Sequence, residues 1–133
     1  MNKIDLQPLL NLKNLLENSL VKLEKEKLDE LGKMGVIQAF EVSYELAKNT
    51  LRKVLLIRAQ EAPISPKEIF RLAGLEGLIS NAEIWFEFAQ KRNKTSHTYD
   101  GAIAQEILSS LPNFLTQLDL LIAKLKTIPE CYS

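Results

Sequence analysis

GVIQAFEVSYELAKNTLRKVL, residues 35–55, decides the fold class. Within it Phe40, Tyr44, Ala47, Leu51, Val54 and Leu55 recur at steps of three and four. That spacing collects side chains on one face of an α-helix. From Phe40 onward most of the positions between these residues are polar, and Glu41 and Glu45 lie four apart beside the apolar stripe. A half-buried strand would alternate every second residue, and the stretch does not. Its aromatic residues read as core packing rather than a cofactor box, because a helix must bury one face. The period predicts a helix from about Met34 to Ala59.

The same period extends in both directions. Residues 5 to about 31 place Leu6, Leu9, Leu10, Leu16, Leu20 and Leu23 at helical spacing, and Gly32 and Gly35 read as a break. Beyond EAPISPKE, Ser65 with Glu68 has the capping-box spacing and Pro66 suits the first helical position. The short helix that follows should stop near Gly74. Ser80 with Glu83 repeats the box and opens a fourth helix through Ile84, Trp85, Phe88 and Ala89. Asp100 caps a last helix carrying Ile103, Ile107, Leu111, Phe114, Leu118, Leu121, Ile122 and Leu125. Pro112, inside that pattern, should kink the helix or delay its start. No hairpin signal, strand-like alternation or repeat appears. The reading is a single all-α domain over residues 1–133, an antiparallel up-and-down bundle of about five helices, three long and two shorter.

The 133 residues suffice for a core without covalent staples. Lys plus Arg and Asp plus Glu balance at 17 each, which argues against a dedicated nucleic-acid coater but not against a local basic patch. Cys131 is the one cysteine, so no intramolecular disulfide forms, in keeping with a reducing compartment. The N-terminal stretch lacks the unbroken apolar core and small-residue cleavage site of a signal peptide. No run approaches the roughly 20 apolar residues of a membrane span. A cytoplasmic location with no membrane contact is expected.

One histidine and one cysteine cannot build a usual zinc site, and GLEGL at 74–78 lacks the length and lysine of a phosphate loop. No metal and no cofactor are expected. Glu24, Glu26, Asp29 and Glu30 read as a solvated helix face. Ser96 beside His97 is a poor nucleophile candidate, since chain neighbours rarely point at each other. KRNKTSHTYD, residues 91–100, is what remains. Arg92 near one helix end and His97 near the next can converge across the loop. Histidine exchanges a proton near neutral pH, and arginine offers a planar donor fork to phosphate. Such a pair can cleave RNA without metal: a base activates the 2′-hydroxyl and a cation stabilises the transition state. By residue type alone, the favoured reading is still a helix-capping loop histidine among exposed basic residues, with Tyr99 a surface ring.

RNKTSHTY, residues 92–99, resembles the Arg-x4-His-x-Tyr motif of HEPN domains that accompany minimal nucleotidyltransferases. GVIQAFEVSYELAKNTLRKVL, PKEIFRLAGLEGLI and the Trp85 helix follow the order of the nucleotidyltransferase substrate-binding-protein-like branch, over roughly residues 30 to 125. Lys48 departs from that pattern, where a tryptophan is expected after Glu-Leu-Ala. The resemblance implies a helical bundle that forms a homodimer and partners a minimal nucleotidyltransferase encoded nearby. In one reading it implies a metal-independent endoribonuclease toxin. Arg92 and His97 are then catalytic, with Asn93 supporting, Lys91 and Lys94 contact RNA or nucleotide, and the partner acts as antitoxin by placing AMP on Tyr99. In the other, the protein is a non-catalytic subunit that presents substrate to the nucleotidyltransferase.

Overall fold

Five α-helices carry the chain in the computed structural model, which describes residues 3–133. They are α1 (Gln7–Lys25), α2 (Glu30–Arg58), α3 (Pro66–Leu75), α4 (Ala82–Asn93) and α5 (Gly101–Leu125). The fold is the all-α bundle that the periodicity predicts. The stripe of α2 is buried from Val36 to Leu55, and α1, α3, α4 and α5 all pack against that helix. Two of the three hydroxyl side chains on this face bond within the helix. Ser43 and Thr50 donate to the carbonyls of Ala39 and Leu46, at 2.6 and 2.7 Å, so neither remains unsatisfied.

Several boundaries differ from the expectation. α1 ends at Lys25 rather than near residue 31, and α2 begins at Glu30, ahead of Met34. Asp29, expected on a solvated helix face, is instead the cap of α2 and accepts from the Gly32 amide at 2.8 Å. Gly32 and Gly35 lie inside α2 and break nothing. A Cβ at Gly32 would stand 3.2 Å from the Asp29 carboxylate oxygen, so the missing side chain makes room for the cap.

Ser65 caps α3 as expected, accepting from the Glu68 amide. The cap of α4 is Asn81, accepting from the Glu83 amide at 2.9 Å, rather than Ser80. Asp100 caps α5, accepting from the Ala102 amide. Pro112 does not delay α5, which runs unbroken from Gly101. The proline sits on the exposed side of a helix whose other face buries Leu111, Phe114, Leu115 and Leu118. The proline costs the helix one backbone hydrogen bond, and the packed apolar face holds the helix across that gap.

Two short strands complete the fold, where no strand was expected. β1 (Ile4–Asp5) pairs in parallel with β2 (Cys131–Tyr132). The segment is held by Ile4 N–H to the Glu130 carbonyl at 2.8 Å and by Leu6 N–H to the Tyr132 carbonyl at 2.7 Å. Two residues per strand are too few for alternation to register in sequence.

The centre of the bundle is a run of aromatic rings. Phe114 meets Phe40 and Phe88 edge-on, with centroids 4.9 and 5.0 Å apart. Phe88 meets Trp85 at 5.2 Å, Trp85 stacks on Phe70 at 5.5 Å, and Phe70 leads to Tyr44 at 6.0 Å. These rings come from four helices and fix α4 against α2 and α5. The last turn of α4, which carries Lys91, Arg92 and Asn93, projects from that anchor.

Candidate functional site

α4 ends at Asn93 without entering a long loop. Lys94 leads into a single 3-10 turn, Thr95–His97, and Asp100 then opens α5. The helix end is tied back by a threonine. Thr95 Oγ1 donates to the Arg92 carbonyl at 2.8 Å and lies 3.3 Å from Arg92 Nη1 as an acceptor. The expected motif residues are thus spread over one helix end and one tight turn.

Arg92 faces α2. Its Nε stands 3.2 Å from Glu45 and its Nη2 3.6 Å from Glu41, in side chains about a third exposed. The Nε contact is one of charge only, since the hydrogen is not aligned with the carboxylate. Two glutamates from α2 therefore orient the fork, and Thr95 holds its third nitrogen. Glu41 and Glu45 were visible only as a pair beside a stripe. Nothing in the spacing links them to an arginine almost fifty residues away.

His97 lies elsewhere. It is exposed, and its Nδ1 is 3.3 Å from the Tyr99 hydroxyl, the rings meeting edge-on at 5.9 Å. Tyr99 is itself 85% exposed. No hydrogen bond joins His97 to Arg92 among the described residues. The turn brings His97 and Tyr99 together and places Arg92 one helical turn back, directed at α2. Asn93 is exposed beside it.

The two lysines share one carboxylate. Lys91 and Lys94 both reach Glu106 of α5, at 3.3 and 3.1 Å. Hydrogen bonds first from Lys94 and then from Lys91 hold the Glu106 carboxyl below its ordinary pKa. This triangle pins the turn to α5. It also means that neither lysine meets a phosphate without first competing with Glu106.

Behind Arg92, a groove of 590 Å³ runs between α2, the start of α3 and α4, and Tyr44, Lys48, Lys67 and Phe86 contribute to its walls. Lys48, the departure from the family pattern, bonds Glu45 at 2.8 Å and lies 5.9 Å above the Tyr44 ring. Among the described residues, no group of three or more His, Cys, Asp or Glu is placed to hold a metal ion. No described helix is long and apolar enough to cross a membrane.

Residues 5–127 match the family model described as nucleotidyltransferase substrate binding protein like. The chain is 32% identical over 100 residues to a protein of Haemophilus influenzae named probable ribonuclease HepT. That alignment spans 69% of this chain and 66% of the relative's length. A solved H. influenzae structure, described as revealing the fold of a substrate binding domain of a nucleotidyltransferase, superposes with a TM-score of 0.82 at 26% identity. It covers 91% of this chain and 98% of the other. A Thermus thermophilus structure superposes with a TM-score of 0.70 at 25% identity, over 82% of this chain and 97% of its own.

Proposed function

From the premise that the chain belongs to the nucleotidyltransferase substrate binding protein like family, we propose that it is the HEPN component of a two-protein module with a minimal nucleotidyltransferase. In this reading it is a metal-independent endoribonuclease toxin that its partner neutralises. The intact Arg92, His97 and Tyr99 set on one solvent-open end of the bundle carries the reading. The name of the H. influenzae relative supports it.

His97 takes the proton of a ribose 2′-hydroxyl, whose oxygen attacks the adjoining phosphorus. The 5′-oxygen leaves with a proton, giving a cyclic phosphate and a free 5′-hydroxyl. Arg92, steadied by Glu41 and Glu45, offers its outward N–H groups to the phosphoryl oxygens as charge develops. Asn93 supports the arginine, while Lys91 and Lys94 add cationic surface. A homodimer would set two such ends together, so that one His97 acts as base and the other as acid. AMP transferred to the exposed Tyr99 hydroxyl would crowd the His97 ring beside it, a direct route to neutralisation.

The test is growth after induction in cells lacking the partner. Wild type should arrest growth, with RNA fragments that also form in chelator, and His97→Ala should grow normally. Equal growth of both at equal expression would overturn the ribonuclease reading. Incubation with the partner and ATP should add one AMP mass to the wild type and none to Tyr99→Phe.

A second reading has its own observation. The groove behind Arg92 is large enough for a small molecule. A non-catalytic subunit presenting substrate to the nucleotidyltransferase would use it, and a substrate affinity of the enzyme that depends on this chain would favour that role.

A further inference from the structure

On the groove between α2, α3 and α4 opens a donor with no protein partner among the described residues. Tyr44 is only 1% exposed, its ring packed near Phe40 and Phe70. Its hydroxyl oxygen is the end of the side chain that opens on the groove, since it is not among the buried polar atoms lacking a partner, and it forms no hydrogen bond to any described residue. Burial first, then the charge of Glu45, pushes its pKa up, so the hydroxyl keeps its proton at any physiological pH. A hydroxyl that keeps its proton and opens on a groove offers a donor to an acceptor bound there.

The surrounding charges select what kind of acceptor. Lys48, Lys67 and Arg92 line the same groove, against two carboxylates, Glu45 and Glu83. Glu45 is already engaged on both oxygens, one 2.8 Å from Lys48 and the other 3.2 Å from Arg92. Arg92 also pairs with Glu41, so Lys67, exposed and without an ion pair among the described residues, is the cation that favours an anionic group over an amine. Phe86, half-buried in the wall, adds a flat apolar surface. The volume of 590 Å³ falls in the usual range for small-molecule sites, roughly 300–1,000 Å³.

We propose that this groove seats one nucleotide unit, its phosphate against the Tyr44 hydroxyl, Arg92 and Lys48 and its base against Phe86. The unit is either a link of RNA, in which case the inference rests on the ribonuclease reading, or a free mononucleotide, in which case it does not. Arg92 is the shared wall between groove and motif. As an RNA site the groove holds the nucleotide next to the one that is cut. Base stacking on an aromatic face is tolerant of sequence, so it supplies affinity rather than selection.

The experiment uses the full chain carrying His97→Ala, so that bound RNA survives. Amide resonances are followed during titration with AMP, with inorganic phosphate, and with a short single-stranded RNA. Nucleotide should shift residues around Tyr44, Lys67 and Phe86. Tyr44→Phe, which removes one oxygen and keeps the ring, should weaken binding by about tenfold. Lys67→Glu, at an exposed position, should weaken it as well, and Lys124→Ala on α5 should leave it unchanged. Shifts with RNA alone identify the polymer as occupant, and shifts with AMP as well admit the free nucleotide. Binding unaffected by both Tyr44→Phe and Lys67→Glu overturns the proposal. So does RNA that perturbs only residues 94–99, an outcome that leaves the ribonuclease reading intact. AMP binding that Tyr44→Phe weakens, in a protein whose wild type cuts no RNA, supports the groove and removes the ribonuclease.

Discussion

The ring cluster at the centre of the bundle and the turn at its end are built on opposite terms. Phe40, Phe70, Trp85, Phe88 and Phe114 are almost wholly buried and touch one another ring to ring. From Lys91 to Asp100 no residue is buried, and the side chains are held by ion pairs and single hydrogen bonds. Close packing gives the core one arrangement. Exposed polar contacts are worth little each and exchange readily for others. The bundle thus supplies a fixed platform, and the turn presents chemistry that a substrate or a second surface can recruit.

Substitutions in the two regions should separate those roles. Phe114→Ala removes the ring that meets Phe40, Trp85 and Phe88, and should cost about 3–5 kcal/mol in denaturant unfolding. His97→Ala should leave stability within about 0.5 kcal/mol of wild type. RNA cleavage, by contrast, should fall by about a hundredfold or more. A His97→Ala protein as unstable as Phe114→Ala would erase the distinction between platform and turn. Asn81→Ala probes the seam between them, because Asn81 caps the helix that carries both Trp85 and Arg92. A loss of about 1 kcal/mol is expected, read as a lower unfolding midpoint.

The smallest effect is one of pH. Glu106 has its carboxyl held below the ordinary value by Lys94 and Lys91. A carboxylate of that kind stabilises the fold above its unfolded pKa, and its contribution is lost as pH falls through the folded one. Acidification below about pH 4.3 should therefore loosen the turn from α5. Amide exchange at Ser96 to Thr98 should quicken relative to the bundle, and Glu106→Gln should show the faster exchange already at neutral pH.

The difference between core and turn also marks what was legible. Every residue of the α2 stripe, from Phe40 to Leu55, is buried as its spacing predicts, because helical period and burial share one cause. Glycine misled at Gly32, where the cap of Asp29 needs the space a side chain would fill. Pro112 misled because a helix packed along its apolar face keeps its course despite one missing hydrogen bond. At the motif, sequence could propose Arg92 and His97 together. It could not show that Arg92 turns toward Glu41 and Glu45 of another helix while His97 turns toward Tyr99. Partners so distant in sequence leave no local signal. The hydroxyl of Tyr44 is the converse case, a stripe residue whose apolar role hid a polar end.

The parallel pairing of β1 with β2 has a mechanical consequence. Tension applied between residue 3 and residue 133 pulls the two segments along their own length in opposite directions. The Ile4 and Leu6 hydrogen bonds then carry the load together, in shear, rather than parting one after the other like a zip. In a force experiment the first resistance should come from this four-residue clasp. The long helices should extend only after it slips, and replacing Ile4 with proline, which removes one of its donors, should lower that first peak while leaving the later ones in place.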